Sequence, residues 1–135
     1  MILDTDVLIW YLRGNEKAKD VIEHAVPFKI SAITYMELLQ GMKNKDEYRI
    51  FQKQLQRWNT EIIHIDREIS SRAIFYIQEY SLSHSMMLRD ALIAATIVQL
   101  GETLLTANDK HYKFIPNIKL RDLNPKKRKL TKAST

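Results

Sequence analysis

Residues 89–109 read RDALIAATIVQLGETLLTAND, and this stretch decides the fold class. Residues 87–100 are nearly all apolar, with Asp90 the single acid, so they predict a helix buried on more than one side. Gly101 stops that helix, because glycine accepts the left-handed backbone of a helix end. Thr103 to Thr106 is a short β-rich run, and a polar loop follows, Ala107-Asn108-Asp109-Lys110-His111. Outward from this unit the alternation repeats. Upstream, Asp66 caps a helix reaching about Tyr80, with Ile69, Ala73, Tyr76, Ile77 and Tyr80 on its buried side and a break at 81–85. Residues 60–65 read as a strand and 45–58 as a helix, on whose apolar face Tyr48, Phe51, Leu55 and Trp58 recur. Residues 28–31 are another strand. Thr34-Tyr35-Met36-Glu37 fits a capping box opening the next helix. A helix over 16–26 starts at the N-cap Asn15 and stops at Pro27. The chain begins on a strand, 1–3, then runs through Asp4-Thr5-Asp6 into a helix over 7–12 closed by Arg13-Gly14. Residues 118–120 are a fifth candidate strand. Strands alternating with helices predict an α/β fold whose central, mainly parallel sheet of four or five strands is flanked by helices in three layers.

Composition narrows the classes. At 135 residues, 45% apolar and 27% charged, the chain is sized for one domain, over 1–124. The absence of cysteine excludes disulfide scaffolds, thiolate zinc sites and cysteine nucleophiles, and fits a reducing cytoplasm. No apolar run is long enough to span a bilayer, and MILDTD has neither the basic start nor the apolar centre of a signal peptide. The net charge of +5 belongs to the end of the chain: Lys126, Lys127, Arg128, Lys129 and Lys132 account for it, leaving sixteen bases and sixteen acids in 1–124. Residues 125–135 read as a basic, flexible tail able to meet phosphates.

Acids that interrupt apolar segments carry the chemistry. Asp4 ends the first strand, and open α/β sheets bind ligands beyond the carboxyl ends of their strands. Asp6 reads first as the N-cap of a helix beginning at Val7. Glu37 has capping-box duty toward Thr34, and Asp90 has Arg89 and first-turn amides as ordinary partners. Asn108 and Asp109 follow the late strand, where turn duty is their ordinary role. If the strands are parallel, Asp4 and Asp109 leave the same sheet edge, and Glu37 and Asp90 can converge there. Carboxylates about 5 Å apart repel by about 3 kcal/mol per pair at an effective dielectric near 20, so such a cluster calls for protons or a divalent cation. Oxygen-only ligands suit Mg²⁺ or Mn²⁺. Of the scattered histidines, His111 beside the loop is a candidate phosphate contact. No glycine-rich phosphate loop and no GxSxG nucleophile elbow is present.

The ordered set MILDTDVLI, ITYMELLQG, RDALIAATIVQLGETLLTAND and KHYKFIPNIKL resembles the PIN-domain ribonucleases, most of all the VapC-type toxins of prokaryotic toxin–antitoxin pairs. The likeness spans about residues 1–122. It implies an endoribonuclease that hydrolyses RNA phosphodiesters with Mg²⁺ or Mn²⁺, with structured RNAs such as tRNA among the targets of the family. It implies catalytic and metal-binding roles for Asp4, Glu37, Asp90 and the late loop, where Asp109 or Asn108 completes the shell, with Asp6 and Thr106 supporting. It implies a homodimer and a cognate antitoxin. Arg13, Lys43, Lys45, Arg89, Lys110 and His111 are the candidate RNA contacts. Two other readings have distinct signatures. A receiver-type phosphoacceptor domain would use Asp4, Asp6, Asp66, Thr106 and Lys110. A catalytically silent PIN-like module would bind RNA or protein without cutting.

Overall fold

A computed structural model describes residues 1–123. Five strands form one sheet: β1 (Ile2–Leu3), β2 (Lys29–Ser31), β3 (Glu61–Ile63), β4 (Thr103–Thr106) and β5 (Lys119–Asp122). Their order is β3-β2-β1-β4-β5 and every pairing is parallel. The helices are α1 (Thr5–Leu12), α2 (Glu16–Ala25), α3 (Ala32–Gln40), α4 (Lys45–Arg57), α5 (Arg67–His84) and α6 (Leu88–Leu100). Successive strand residues face opposite sides, so the sheet feeds two cores. Ile2 and Leu104 join Ile69, Ala73 and Tyr76 of α5 and Ala91, Ile93 and Ala94 of α6. Leu3, Ile30 and Leu105 join Val7 and Leu8 of α1, Ile22 of α2, and Phe51 and Leu55 of α4. The three-layer parallel α/β architecture expected from the sequence is therefore present, with five strands. The basic tail, 125–135, lies outside the described residues.

The strand order places the site. From β1 the sheet grows outward through β2 to β3 on one side and through β4 to β5 on the other. The direction of growth reverses between β1 and β4, and such a switch point opens a crevice at the carboxyl edge. Asp4 leaves β1 there, its N–H bonded to the Leu105 carbonyl at 2.9 Å.

Four local expectations need correction. Helix α1 begins at Thr5, and Asp4 rather than Asp6 is its N-cap, accepting from the Thr5 N–H at 2.8 Å. Helix α3 begins directly after β2, capped by Ser31, whose Oγ accepts from Ile33 N–H at 3.1 Å. Thr34 and Glu37 therefore lie inside that helix and form no capping box. Ser31→Ala is expected to cost about 1 kcal/mol, read from the urea midpoint; an unchanged midpoint would contradict the cap. Helix α5 runs through the serines to His84, because serine alone does not break a helix that has tertiary support. His84 stacks on Phe114, ring centroids 4.3 Å apart, and Tyr80 flanks both rings. The helix stops at Ser85, which takes a left-handed φ of 54°. Finally, Asp66 caps α5 at the end of edge strand β3, two strands from Asp4, so the receiver-type constellation does not assemble.

Candidate active site

Asp4 is fixed from four directions. Its Oδ1 accepts from Thr5 N–H and, at 2.9 Å, from Arg89 Nη2. Its Oδ2 accepts from Thr106 Oγ1 at 3.0 Å and from the Tyr112 hydroxyl at 2.8 Å. Only 3% of the residue is exposed. A carboxylate so enclosed is tolerated because every oxygen is met by donors. Asp90, in the first turn of α6 and equally buried, lies across the same hydroxyl: Tyr112 OH is 3.3 Å from its Oδ1. Asp4 and Asp90, far apart in sequence, thus share one phenol.

Glu37 comes from the opposite layer. Because α3 starts directly after Ser31, the last residue of β2, its second turn lies over the crevice. Thr5 Oγ1 donates to Glu37 Oε1 at 2.6 Å and lies 3.0 Å from Thr34 Oγ1. Asp6 completes the set, its Oδ2 accepting from Ala107 N–H at 3.1 Å. Its Oδ1 is buried without a hydrogen-bond partner.

One cation stands among the acids. Arg89 donates through Nε to Glu37 Oε2 at 2.9 Å, through Nη2 to Glu37 Oε1 at 3.0 Å, and through Nη1 to Asp90 Oδ1 at 2.6 Å, besides its bond to Asp4. Burial opposes its charge, but the bonds to Glu37 and the charge of Asp4 outweigh this and hold the guanidinium charged beyond its ordinary range. The Tyr112 hydroxyl is pushed up by burial and by the Asp4 charge, so it remains a donor. Asp6 is raised from 3.8 to about 6, first by burial, then by Asp4. The folded chain keeps that proton to about pH 6 whereas the unfolded chain releases it near 3.8, so folding takes up a proton between them. Stability from this group therefore falls as pH rises from about 4 to 6. In metal-free buffer Asp6→Asn is expected to remove about 2 kcal/mol of that fall, measured as urea midpoints across the range; parallel pH profiles for variant and wild type would contradict it.

The other candidates sort by position. Thr106 contributes directly. Asn108 donates its N–H to Thr106 Oγ1 at 3.1 Å, and its side chain pairs with His111 Nε2, also at 3.1 Å. His111 Nδ1 lies 3.4 Å from Asp90 Oδ2. Asp109 opens the short 3-10 turn Asp109–His111, whose exposed Lys110 stands at the rim. Arg13 follows the last residue of α1, about 13 Å along the helix from Asp4. Lys43 and Lys45 lie beyond the far end of α3. Arg89, read as an RNA contact, instead lies inside the acidic cluster. The sequence reading missed Tyr112, Thr5 and Thr34. The signal for Tyr112 was a tyrosine directly after the polar loop, because a buried phenol needs a polar partner.

The acids offer carboxylate oxygens, one of them buried without a hydrogen-bond partner, and that chemistry suits a hard dication. Among the described residues no three acids or histidines are gathered around a common point as ligands of one ion. The guanidinium lies between the carboxylates and bonds three of them.

Comparisons with known proteins agree with this fold. The PIN domain family model matches residues 1–115. Ribonuclease VapC10 of Mycobacterium tuberculosis is 31% identical over 126 residues, covering 88% of this chain and 90% of that protein. A toxin–antitoxin complex from Klebsiella pneumoniae contains a chain with a TM-score of 0.76 and 31% identity, over 90% of this chain and 96% of that one. The DNA-bound VapBC structure from Salmonella typhimurium, at 22% identity, shares the fold with a TM-score of 0.77 over the same shares. The five-stranded parallel sheet thus belongs to a known lineage, and this chain is a member of the PIN domain family, of the VapC type.

Proposed function

We propose that the chain is an Mg²⁺- or Mn²⁺-dependent endoribonuclease, the toxin of a toxin–antitoxin pair acting in the cytoplasm. The observation that carries this reading is that Asp4, Glu37 and Asp90, from three separate segments, all bond the one Arg89 guanidinium at the sheet's carboxyl edge. Asp4 and Asp90 are the main metal ligands, Glu37 binds metal or orients water, and Asp109 or Asn108 completes the shell from the late loop. Held by these carboxylates, a divalent cation would supply Lewis-acid chemistry, polarising the scissile phosphate and lowering the pKa of a water nucleophile. Thr106 and Tyr112 hold Asp4 in one orientation, so its ligand oxygens need no reorganisation when substrate arrives. Lys110 and His111 at the rim meet substrate phosphates, which the acidic interior would otherwise repel. The products carry 5′-phosphate and 3′-hydroxyl ends.

RNA is the substrate class, with tRNA the first to test. Incubation of total RNA with the protein and Mn²⁺, with mapped ends, is expected to give discrete cuts that EDTA abolishes. Metal-dependent binding without cuts would favour the catalytically silent alternative. Deleting residues 125–135 is expected to weaken RNA binding and flatten its salt dependence while leaving the cut sites unchanged; an identical salt slope would remove the tail from RNA binding. A second copy of the chain and an antitoxin are the protein partners. The exposed Ile74, Phe75 and Leu82 of α5 support such contacts. Among the described residues no helix is long and apolar enough to cross a membrane.

A further inference from the structure

Arg89 has more bonding partners in the acidic cluster than any role in binding RNA would need. It contacts Asp4, Glu37, Asp90, Thr5 Oγ1 and the Tyr112 hydroxyl, all between 2.6 and 3.2 Å. The acids it bonds include the two proposed as main metal ligands. A guanidinium and a dication a few ångströms apart repel with twice the energy of two unit charges, so both cannot hold these carboxylates at once. The side chain is also 32% exposed, so it borders solvent rather than being enclosed by the core. Its long, flexible stem makes a swing toward solvent an ordinary rotamer change.

We propose that Arg89 is a displaceable internal counter-ion, which holds Asp4, Glu37 and Asp90 together in the metal-free chain and must be expelled for a divalent cation to bind. This rests on the reading of those acids as the metal site. Its function is twofold. It keeps the cluster folded when metal is scarce, and it weakens metal affinity, because only the population with Arg89 swung out is competent to bind.

Mn²⁺ titration of the metal-free chain, followed by the paramagnetic resonance of free Mn²⁺, tests this. Arg89→Gln is expected to bind Mn²⁺ about tenfold more tightly than wild type, as follows if about a tenth of the metal-free population has the arginine out. Arg89→Lys, which keeps charge but cannot bridge three carboxylates, is expected to fall between. Metal-free Arg89→Gln should also melt below wild type and gain more from Mn²⁺. Equal or weaker affinity in Arg89→Gln overturns the competition. If Asp4→Asn abolishes uptake in that case, the metal-site reading stands and only the role of Arg89 fails. No uptake by wild type or Arg89→Gln overturns both. A measurement on wild type needs no variant to fold: the Arg89 Nε–H resonance should be protected from solvent exchange without metal and lose protection at saturating Mg²⁺. Protection unchanged at saturation overturns the proposal.

Discussion

Asp4→Asn is expected to lower metal-dependent RNA cleavage by about a thousandfold or more while the chain stays folded. The loss follows from the position of Asp4, the acid to which α1, β4, α6 and the segment after the late loop all turn a donor. An amide offers one neutral oxygen where the carboxylate offers two charged ones, and a hard dication discriminates strongly between them. The fold survives for local reasons. Asparagine caps helices as well as aspartate, so the bond from Thr5 N–H remains. The Thr106 and Tyr112 hydroxyls can turn to accept from the new amide group. One negative charge also leaves a crowded cluster. The paired measurements are single-turnover cleavage of RNA and thermal melting. Undiminished Mg²⁺-dependent cleavage would remove Asp4 from the mechanism, and gross loss of helicity would make the variant a folding mutant instead.

Tyr112→Phe is expected to destabilise the metal-free chain by about 2 kcal/mol, the scale for a buried hydrogen bond to a charged acceptor. The ring is fully buried, so no water replaces the hydroxyl at Asp4 Oδ2. Its loss also removes the group between Asp4 and Asp90, so the two carboxylates repel across a less polar gap. Cleavage should fall by about tenfold, far less than for Asp4→Asn, because phenylalanine preserves the packing and only the orientation of a ligand is disturbed. Urea denaturation in EDTA and the cleavage rate at saturating metal separate the two effects. An unchanged urea midpoint would show that this bond contributes nothing net.

The layered fold was legible because its signals are local. Gly101 ended α6 as read, with a φ of 65°, and Asn15 and Asp66 capped the helices expected of them. Alternation of strand and helix then left few topologies other than a parallel sheet. The boundaries that moved did so where two rules competed. Asp4 and Asp6 both suit an N-cap, and the β1–β4 ladder decided between them by bonding Asp4 N–H to Leu105. Ser31 and Thr34 both suit a cap, and the direct passage from β2 into α3 selected the earlier residue. The meeting of Asp4, Glu37 and Asp90 was legible only as a consequence of parallel strands, since no spacing in the sequence encodes it. The contacts of Arg89 were not legible. An arginine beside an acid in sequence reads equally as a surface ion pair, and only the tertiary path of α3 brings Glu37 to its other edge. Tyr112 escaped for a related reason: a single tyrosine after a polar loop carries no periodicity.

The central claim is that Asp4 and Asp90 hold a divalent cation together. Crystals soaked in Mn²⁺ and measured for anomalous scattering test it most directly. The strongest peak is expected within about 2.2 Å of a carboxylate oxygen from each of Asp4 and Asp90, consistent with direct oxygen ligation. A peak bound elsewhere on the chain, or none at millimolar Mn²⁺, would contradict the account.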